Sequence, residues 1–462
     1  MTREYVEVPG SFRDPSGYVY LRDGEIYRQV NRSYQEDYDR LVDSGLCQKL
    51  VGGGLLIPHV EVGLEYAAGE RAYKVIKPQQ IPFISYPYEW CFSELKDAAL
   101  LTLEIQQRAF DSGMSLKDCS AYNVQFAGGK PVFIDTLSFE RYREGQPWVA
   151  YRQFCQHFLA PLALMSYVDI RLHRLLRVYL DGIPLDLASR LLPRRSQFNF
   201  GLLSHIHLHA KAQERYSDSS ISSTNRQVGR TSFLGLIDSL RSTVSKLSWQ
   251  AGGTEWHDYY DRTNYSSAAF DRKQQIVADM LDRITPTPQS VWDLGANEGL
   301  FSRIASKKGI RTVSFDIDPA AVETNYLQNR EAERSDLLPL VLDLTNPSPG
   351  IGWANQERMS LIERGPADTA MALALIHHLA ISNNLPFSKI ADFLSKICHT
   401  LIIEFVPKSD SQVQRLLSSR EDIFTEYDQA IFEAEFGKIF SIEHREPIRE
   451  TERILYLMEL RG

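Results

Sequence analysis

Between Val291 and Phe301 the chain reads VWDLGANEGLF, and the residue types in this stretch are those of a ligand loop. The pattern is Asp293-x-Gly295-x-x-x-Gly299: an apolar run, a tight glycine turn and the first turn of a helix. Such a turn brings backbone N–H groups that have no helical partner up to a ligand. A dinucleotide fingerprint would be G-x-G-x-x-G, but Asn297 stands where its middle glycine belongs, and no G-x-x-x-x-G-K-[ST] occurs anywhere. Asp293, just before the first glycine, would repel a pyrophosphate and suits a cationic amine. The ligand read from these residues is of aminoacyl type, with its amine on Asp293 and its carboxylate on the backbone donors of the Gly295–Asn297–Gly299 loop. Asp316, 21 residues after Gly295 at the end of FDID, is placed to accept both hydroxyls of a ribose. Asp343 ends the next apolar run and is placed to meet an adenine amino group.

These acids need a scaffold that lines them up. From about Ser290 onward, the apolar runs SVWDLG, TVSFDI, LPLVLDL, TAMALAL and TLIIEFV alternate with helical patterns or loops. That alternation predicts a parallel sheet with crossover helices. FSIEHREPI and RILYLMEL close the chain only about four residues apart, too few for a parallel crossover, so they predict an antiparallel hairpin. The helix before them, YDQAIFEAEFGKIF, puts Ile431, Phe432, Phe436 and Ile439 on one face.

S-adenosylmethionine carries the amine, the carboxylate, the ribose and the adenine that this set would hold. With the glycine loop, the second- and third-strand acids, ALALIHHL at the fourth strand and the closing hairpin in order, residues 255–462 resemble a class I S-adenosylmethionine-dependent methyltransferase. The resemblance implies an α/β fold: a seven-stranded Rossmann-like sheet of order 3-2-1-4-5-7-6, with the cofactor at the carboxyl ends of strands 1, 2 and 3. The fourth strand ends in ALIHHL rather than the Asn-Pro-Pro-Tyr type, which argues against base N-methylation.

His377 and His378 follow that strand where the acceptor would lie, and either is expected to serve as a general base, since imidazole titrates near neutrality. The alternative is a packing role beside the cofactor. Glu404, at the end of the fifth strand, is a third candidate for the acceptor side, with a cap or salt bridge as its alternative. Tyr259, Tyr260 and Tyr265 in EWHDYYDRTNYS are candidates to cover the cofactor, because a tyrosine face attracts a sulfonium. An amphipathic lid helix would account for them equally.

The N-terminal half follows another plan. Short β-like runs (GYVYL, EIYRQV, HVEVGLEY, RAYKVI) precede longer helical patterns (ELKDAALLTLEIQQRAF, WVAYRQFCQHFLAPLALMSYV), which predicts an α+β domain. In LKDCSAYNVQFAGGKPVFIDTLSFE, Asp118 and Asn123 fit D-x-x-x-x-N, and Asp135 follows an apolar strand. In phosphotransfer the first Asp positions a hydroxyl while Asn and the second Asp hold Mg²⁺. The segment resembles the catalytic loop of aminoglycoside-phosphotransferase-type and protein-kinase-like folds. The resemblance implies Asp118 as a phosphotransfer base, Asn123 and Asp135 as Mg²⁺ ligands, and ATP as a cofactor. The sequence departs from that pattern: Lys117 precedes Asp118, IDTLSF replaces D-F-G, no glycine-rich phosphate cover is present, and RDGE is a tight hairpin turn. Arg28, Lys74 or Lys77 would stand in for the strand lysine, paired with Asp37 or Glu36. HIHLH (205–209) would converge on zinc only as a strand. FGLLSHIHLHAKAQERY reads as a helix instead, where a spacing of two does not converge.

The chain has 462 residues, too many for one ordinary core. The expected division is a kinase-like domain over 1–210, a connecting segment over 211–254 around the serine-rich DSSISSTN, and a methyltransferase domain over 255–462. A net charge of −8 argues against a protein built to grip nucleic acid. Five scattered cysteines with no C-x-x-C suit a reducing cytoplasm and offer no zinc site. The start MTREYVEVPGSF lacks the apolar core of a signal peptide, and no apolar run is long enough to span a bilayer. The whole is similar to bacterial kinase–methyltransferase fusions that act on surface polysaccharide ends. The expected acceptor is therefore an oxygen of a small molecule or glycan, with the kinase-like domain aiding acceptor binding. A bifunctional enzyme using ATP and Mg²⁺, or a non-catalytic module that only binds S-adenosylmethionine, are the alternatives.

Overall fold

The structure, a computed structural model, describes residues 5–210, 227–250, 266–333, 336–418 and 421–462. The chain divides into two compact units. One is Met1–Gln250 with Gly350–Arg358, and the other is Ala251–Pro349 with Met359–Gly462.

The first unit opens with an antiparallel sheet of five strands: β1 (Val6–Glu7), β2 (Gly17–Arg22), β3 (Glu25–Asn31), β4 (His59–Val62) and β5 (Ala72–Pro78), in the order β1-β2-β3-β5-β4. The turn between β2 and β3 places Asp23 and Gly24 at φ 54° and 78°. Two successive left-handed residues of the Asp-Gly type let the turn follow the twist of its strands. Helices Gln35–Asp43 and Leu46–Gly52 lie between β3 and β4. Next comes the 20-residue helix Phe92–Asp111, whose start is closed by the buried Glu94 carboxylate accepting from the Cys91 N–H at 2.8 Å. After it the chain forms two small antiparallel pairs, β6 (Met114–Leu116) with β9 (Phe139–Arg141) and β7 (Val124–Ala127) with β8 (Lys130–Phe133). From Tyr151 onward, the described residues of the unit up to residue 250 are mainly helical.

The segment expected to be a connector holds the helix Arg230–Lys246, which falls in the first unit. Its buried stripe of Phe233, Ile237, Leu240 and Val244 lies against Phe92–Asp111, where Phe233 and Phe110 stack with centroids 4.2 Å apart. The polar serines that signalled a linker precede this stripe. The first unit also takes in Gly350–Arg358, far away in sequence. There Glu357 accepts from Arg13 at 2.6 Å, and Arg358 lies 4.4 Å over the Tyr122 ring.

The second unit is α/β around a seven-stranded, mostly parallel sheet. Its strands are β10 (Ser290–Leu294), β11 (Arg311–Asp316), β12 (Leu337–Val341), β13 (Ala367–Ala372), β14 (Cys398–Phe405), β15 (Phe440–Pro447) and β16 (Ile454–Leu460). They lie in the order β12-β11-β10-β13-β14-β16-β15, which counted from β10 reads 3-2-1-4-5-7-6. The pairs from β12 to β14 are parallel, while β14–β16 and β15–β16 are antiparallel. Each central strand is buried on both faces and so reads as an uninterrupted apolar run. On one face, helix Ser267–Arg283 contributes Ala269, Ile276, Val277, Met280 and Leu281 to a core shared with Val291, Met371, Ile402, Leu455 and Leu457. The same stripe includes Lys273, a cation inside an apolar face. The helix expected before the hairpin runs Gln429–Gly437. Phe432 and Phe436 are fully buried, while Ile431 and Ile439 are only half-buried.

Candidate functional site

The carboxyl ends of β10, β11 and β12 bring the three predicted acids to one edge of the second unit. Asp293 is the fourth residue of β10, and the loop Gly295–Gly299 follows it. Gly295 and Gly299 both have φ 76°, a left-handed conformation that glycine adopts without penalty, and Asn297 joins them at 49°. At Gly299 there is also no room, since a Cβ would lie 2.3 Å from Asn325 Nδ2. The loop is pinned to the next strand: the Gly295 and Ala296 N–H groups both donate to the Phe315 carbonyl at 2.9 Å. The Asn297 N–H donates to Asp316 Oδ2 at 2.7 Å, and the Asp318 N–H donates to its Oδ1 at 2.9 Å.

Asp293 is 2% exposed and accepts from the Ser302 hydroxyl at 2.6 Å. Burial, with the charge of Asp316 adding to it and the Ser302 hydroxyl opposing it, pushes its carboxyl up to about 7. Burial pushes Asp316 up to about 6, against the N–H groups of Asp318 and Asn297. A buried and a half-buried carboxylate, with the charge of Asp316 raising Asp293, favour a cation or hydroxyl donors between them. Asp343 lies two residues past β12, where its carboxylate accepts from the Thr345 N–H and hydroxyl at 2.9 and 2.6 Å. Next to these acids, a cavity of about 240 Å³ is walled by Leu294, Leu344, Leu375, Ile376 and Phe393, with Lys389 also in its lining.

Past β13 the backbone is strained: Ala374 has φ 51°, a left-handed conformation uncommon for a residue with a Cβ. His377 and His378 follow it, with rings 4.1 Å apart. The expectation of near-neutral titration is corrected for both. Burial holds His377 well below its ordinary value, and burial brings His378 down to about 4, with the charge of Arg453 working the same way. Both are neutral at pH 7. His377 is 1% exposed, and its Nδ1 has no hydrogen-bond partner among the described residues.

Glu404 takes up the salt-bridge alternative: it is fully buried, with Oε2 2.6 Å from Lys273 Nζ and Oε1 3.4 Å from Arg453 Nη1. Arg453 in turn grips Asp410 with two nitrogens, at 2.8 and 3.1 Å. Sequence reasoning missed this four-residue network. The available signal was Lys273 at a core position of an amphipathic stripe. Tyr259, Tyr260 and Tyr265 lie outside the described residues.

In the first unit, Asp118 follows β6 and Asn123 precedes β7, while Asp135 follows β8. Asp118 accepts from the Ser120 N–H at 2.9 Å and from Gln153 Nε2 at 2.8 Å. Asn123 Nδ2 donates to Ser138 Oγ at 3.3 Å. Arg28, on β3, is the cation that reaches this group. Its Nη2 lies 2.8 Å from Asp135 and 3.8 Å from Asp14, so the expected metal ligand Asp135 already has a guanidinium counter-ion. Lys74 and Lys77 pair instead with Glu61 and Glu25. Glu36 and Asp37, expected to pair with the strand cation, hold Arg141 at 2.5 and 3.2 Å. They sit in the first turn of their helix, on the side where β9 passes.

The HIHLH stretch is helical. His205 bonds Tyr151 and Ser239, and His207 bonds Ser189 and Ser196, all at 2.8–2.9 Å. The hydroxyl partners hold the rings apart. Among the described residues there is no group of three or more His, Cys, Asp or Glu that could hold a metal, and no helix long and apolar enough to cross a membrane.

No protein-family model matches the sequence. Among solved structures, the chain is similar to magnesium protoporphyrin IX methyltransferase (ChlM) from Synechocystis PCC 6803 with bound SAH. That match has 18% identity over 45% of this chain and 93% of that one, with a TM-score of 0.32. It is also similar to the bifunctional kinase-methyltransferase WbdD, at 17% identity over 47% of this chain and 45% of that one, with a TM-score of 0.30. Among curated proteins, nodulation protein NoeA of Rhizobium meliloti (strain 1021) is 35% identical over 460 residues, covering 98% of this chain and 96% of the relative. Identity at that level over nearly the full length of both proteins means that the chain belongs to the NoeA family.

Proposed function

We propose that the chain is a methyltransferase that moves a methyl group from S-adenosylmethionine to an oxygen of a small molecule or glycan. The observation that carries this reading is the pair Asp293 and Asp316. These two carboxylates stand on adjacent parallel strands beside a left-handed glycine loop, with burial raising both and the charge of Asp316 further raising Asp293. A bound ammonium group relieves that repulsion. Asp293 would hold the ammonium, Asp316 the ribose hydroxyls and Asp343 the adenine amino group, while the loop backbone at Gly295–Gly299 meets the carboxylate. When bound, the cofactor supplies an electrophilic sulfonium methyl. His377, neutral and with Nδ1 unpartnered among the described residues, would orient the acceptor hydroxyl by accepting its hydrogen bond. Positioning of this kind is the main requirement for methyl transfer from an already activated donor. The domain expectations stand in this proposal with one change: the helix Arg230–Lys246 goes with the kinase-like part.

Titration calorimetry tests the reading. Wild-type protein is expected to bind S-adenosylmethionine at micromolar level or tighter, and Asp316→Ala to lose about tenfold or more, the worth of a charged hydrogen bond. Normal binding by Asp316→Ala would refute the assignment. Incubating metabolite extracts with labelled methyl donor then identifies the acceptor class. A chain that binds the cofactor and labels nothing is the sensing module instead.

A second reading concerns the first unit, which we propose to be kinase-like. The strand order β1-β2-β3-β5-β4 with helices between β3 and β4, followed by Asp118, Asn123 and Asp135 on the loops of short hairpins, supports it. Because Arg28 already neutralises Asp135, Mg²⁺ and ATP phosphates would have to displace that guanidinium before phosphotransfer. A role in acceptor binding needs no such displacement.

A further inference from the structure

The loops that leave the carboxyl ends of β13 and β14 enclose a groove of about 460 Å³, built from residues 380–388 on one side and 423–435 on the other. The volume falls in the range of small-molecule sites. In an open parallel sheet, ligands sit outside the carboxyl ends of the strands. The cofactor acids occupy β10 to β12, so the ends of β13 and β14 are the adjoining places on that edge. The lining has two kinds of surface. Phe424, Ile423, Ile431 and Pro386 supply apolar faces, and Ile423 is 64% exposed. Asn384, Ser388, Thr425 and Glu426 supply hydrogen-bonding groups, and none of these four side chains has a protein partner among the described residues. The acids in the lining are Glu426 and Glu435, the latter leaning on Lys438, and among the described residues no cation lines the groove.

We infer that this groove receives the methyl acceptor, and that the part of the acceptor lying in it is a neutral or amine-bearing sugar rather than a phosphorylated one. The inference rests on the methyl-transfer reading. A sugar ring offers apolar C–H faces to the hydrophobic walls and a rim of hydroxyls to the amide, hydroxyl and carboxylate groups. Carboxylates accept hydrogen bonds and never donate them, so Glu426 suits hydroxyl or ammonium donors and opposes a phosphate. Glu426 is an open acid in the groove, in the role Glu404 was expected to fill.

Saturation-transfer NMR on the full chain, without S-adenosylmethionine, tests the groove. The probes are glucose, glucosamine and glucose 6-phosphate, each at millimolar concentration. Transfer to glucosamine and glucose is expected, with little to glucose 6-phosphate. Glu426→Lys should weaken glucosamine by roughly fivefold or more and raise glucose 6-phosphate, as a reversed charge at a binding rim does. Asn384→Ala with Thr425→Ala, which leaves the charge alone, should weaken glucose and glucosamine alike. Preference for glucose 6-phosphate by the wild-type chain, no transfer to any probe, or indifference to all these substitutions overturns the inference. Cofactor binding is measured separately by calorimetry. A chain that binds sugar and not S-adenosylmethionine sinks the methyl-transfer reading and leaves the sugar groove standing, and the reverse result does the opposite.

Discussion

Lys273 and Glu404, 131 residues apart, form an ion pair at 2.6 Å with side chains 3% and 0% exposed. Removing one partner of such a pair strands the other in a medium that cannot solvate it. Glu404→Leu leaves both Lys273 and Arg453 without the carboxylate between them and should cost about 3–5 kcal/mol. Lys273→Met should cost less, because Glu404 keeps Arg453 at 3.4 Å. Chemical denaturation of the two variants measures the difference. Equal losses would show that Arg453 does not support Glu404.

The Asp293 carboxyl gives a pH signature. Its folded-state value of about 7 lies above the 3.8 of an ordinary aspartate. The folded chain therefore holds a proton that the unfolded chain has released. This contribution to stability is complete below about pH 4 and is lost as pH rises through about 7. Wild type should lose stability relative to Asp293→Asn between pH 5 and pH 8, by on the order of a few kcal/mol. Affinity for an ammonium-bearing ligand should run the other way and rise over the same interval, because only the ionised carboxylate attracts it. Parallel thermal melts and calorimetry at both pH values check the two trends.

Gly299→Ala should damage the loop more than the addition of a methyl group implies. The new Cβ would meet Asn325 at 2.3 Å in a backbone of φ 76°. A loss of about 1–3 kcal/mol is expected from the left-handed conformation and the crowding together. Asn325 also bonds Ser314 on β11, so its displacement should weaken cofactor binding as well. A melt combined with a binding titration separates these two effects.

Arg28→Met should release Asp135. In the wild-type chain the guanidinium sits 2.8 Å from that carboxylate, with both side chains about an eighth exposed. Freed of it, Asp135, Asp14 and Asn123 become accessible oxygen donors for a hard cation. Electron paramagnetic resonance of added Mn²⁺ should show tighter binding by the variant than by wild type, by roughly tenfold for the loss of one neighbouring positive charge. Equal Mn²⁺ binding would mean that Arg28 does not block a metal there.

The sequence by itself determined the sheet of the second unit and the place of its glycine loop. Buried parallel strands are continuous apolar runs, so the positions of Asp293, Asp316 and Asp343 at the carboxyl ends of adjacent strands were legible. The closing hairpin followed from the short connection alone. What the tertiary structure decided was which charges pair with each other. Glu404 ends a strand as legibly as Asp293 does. Yet Lys273, placed beneath it by a distant helix, converts it into one half of an internal pair. Arg28 meets Asp135 rather than Asp37 because β3 runs past the loop after β8, and no local pattern encodes that approach. His377 and His378 have the right identity for a base, but burial removes the titration that identity promised. Periodicity and turn chemistry are local and survive in one dimension. The protonation and partner of a side chain depend on solvation and on neighbours brought in from elsewhere in the chain, and only the folded arrangement sets these.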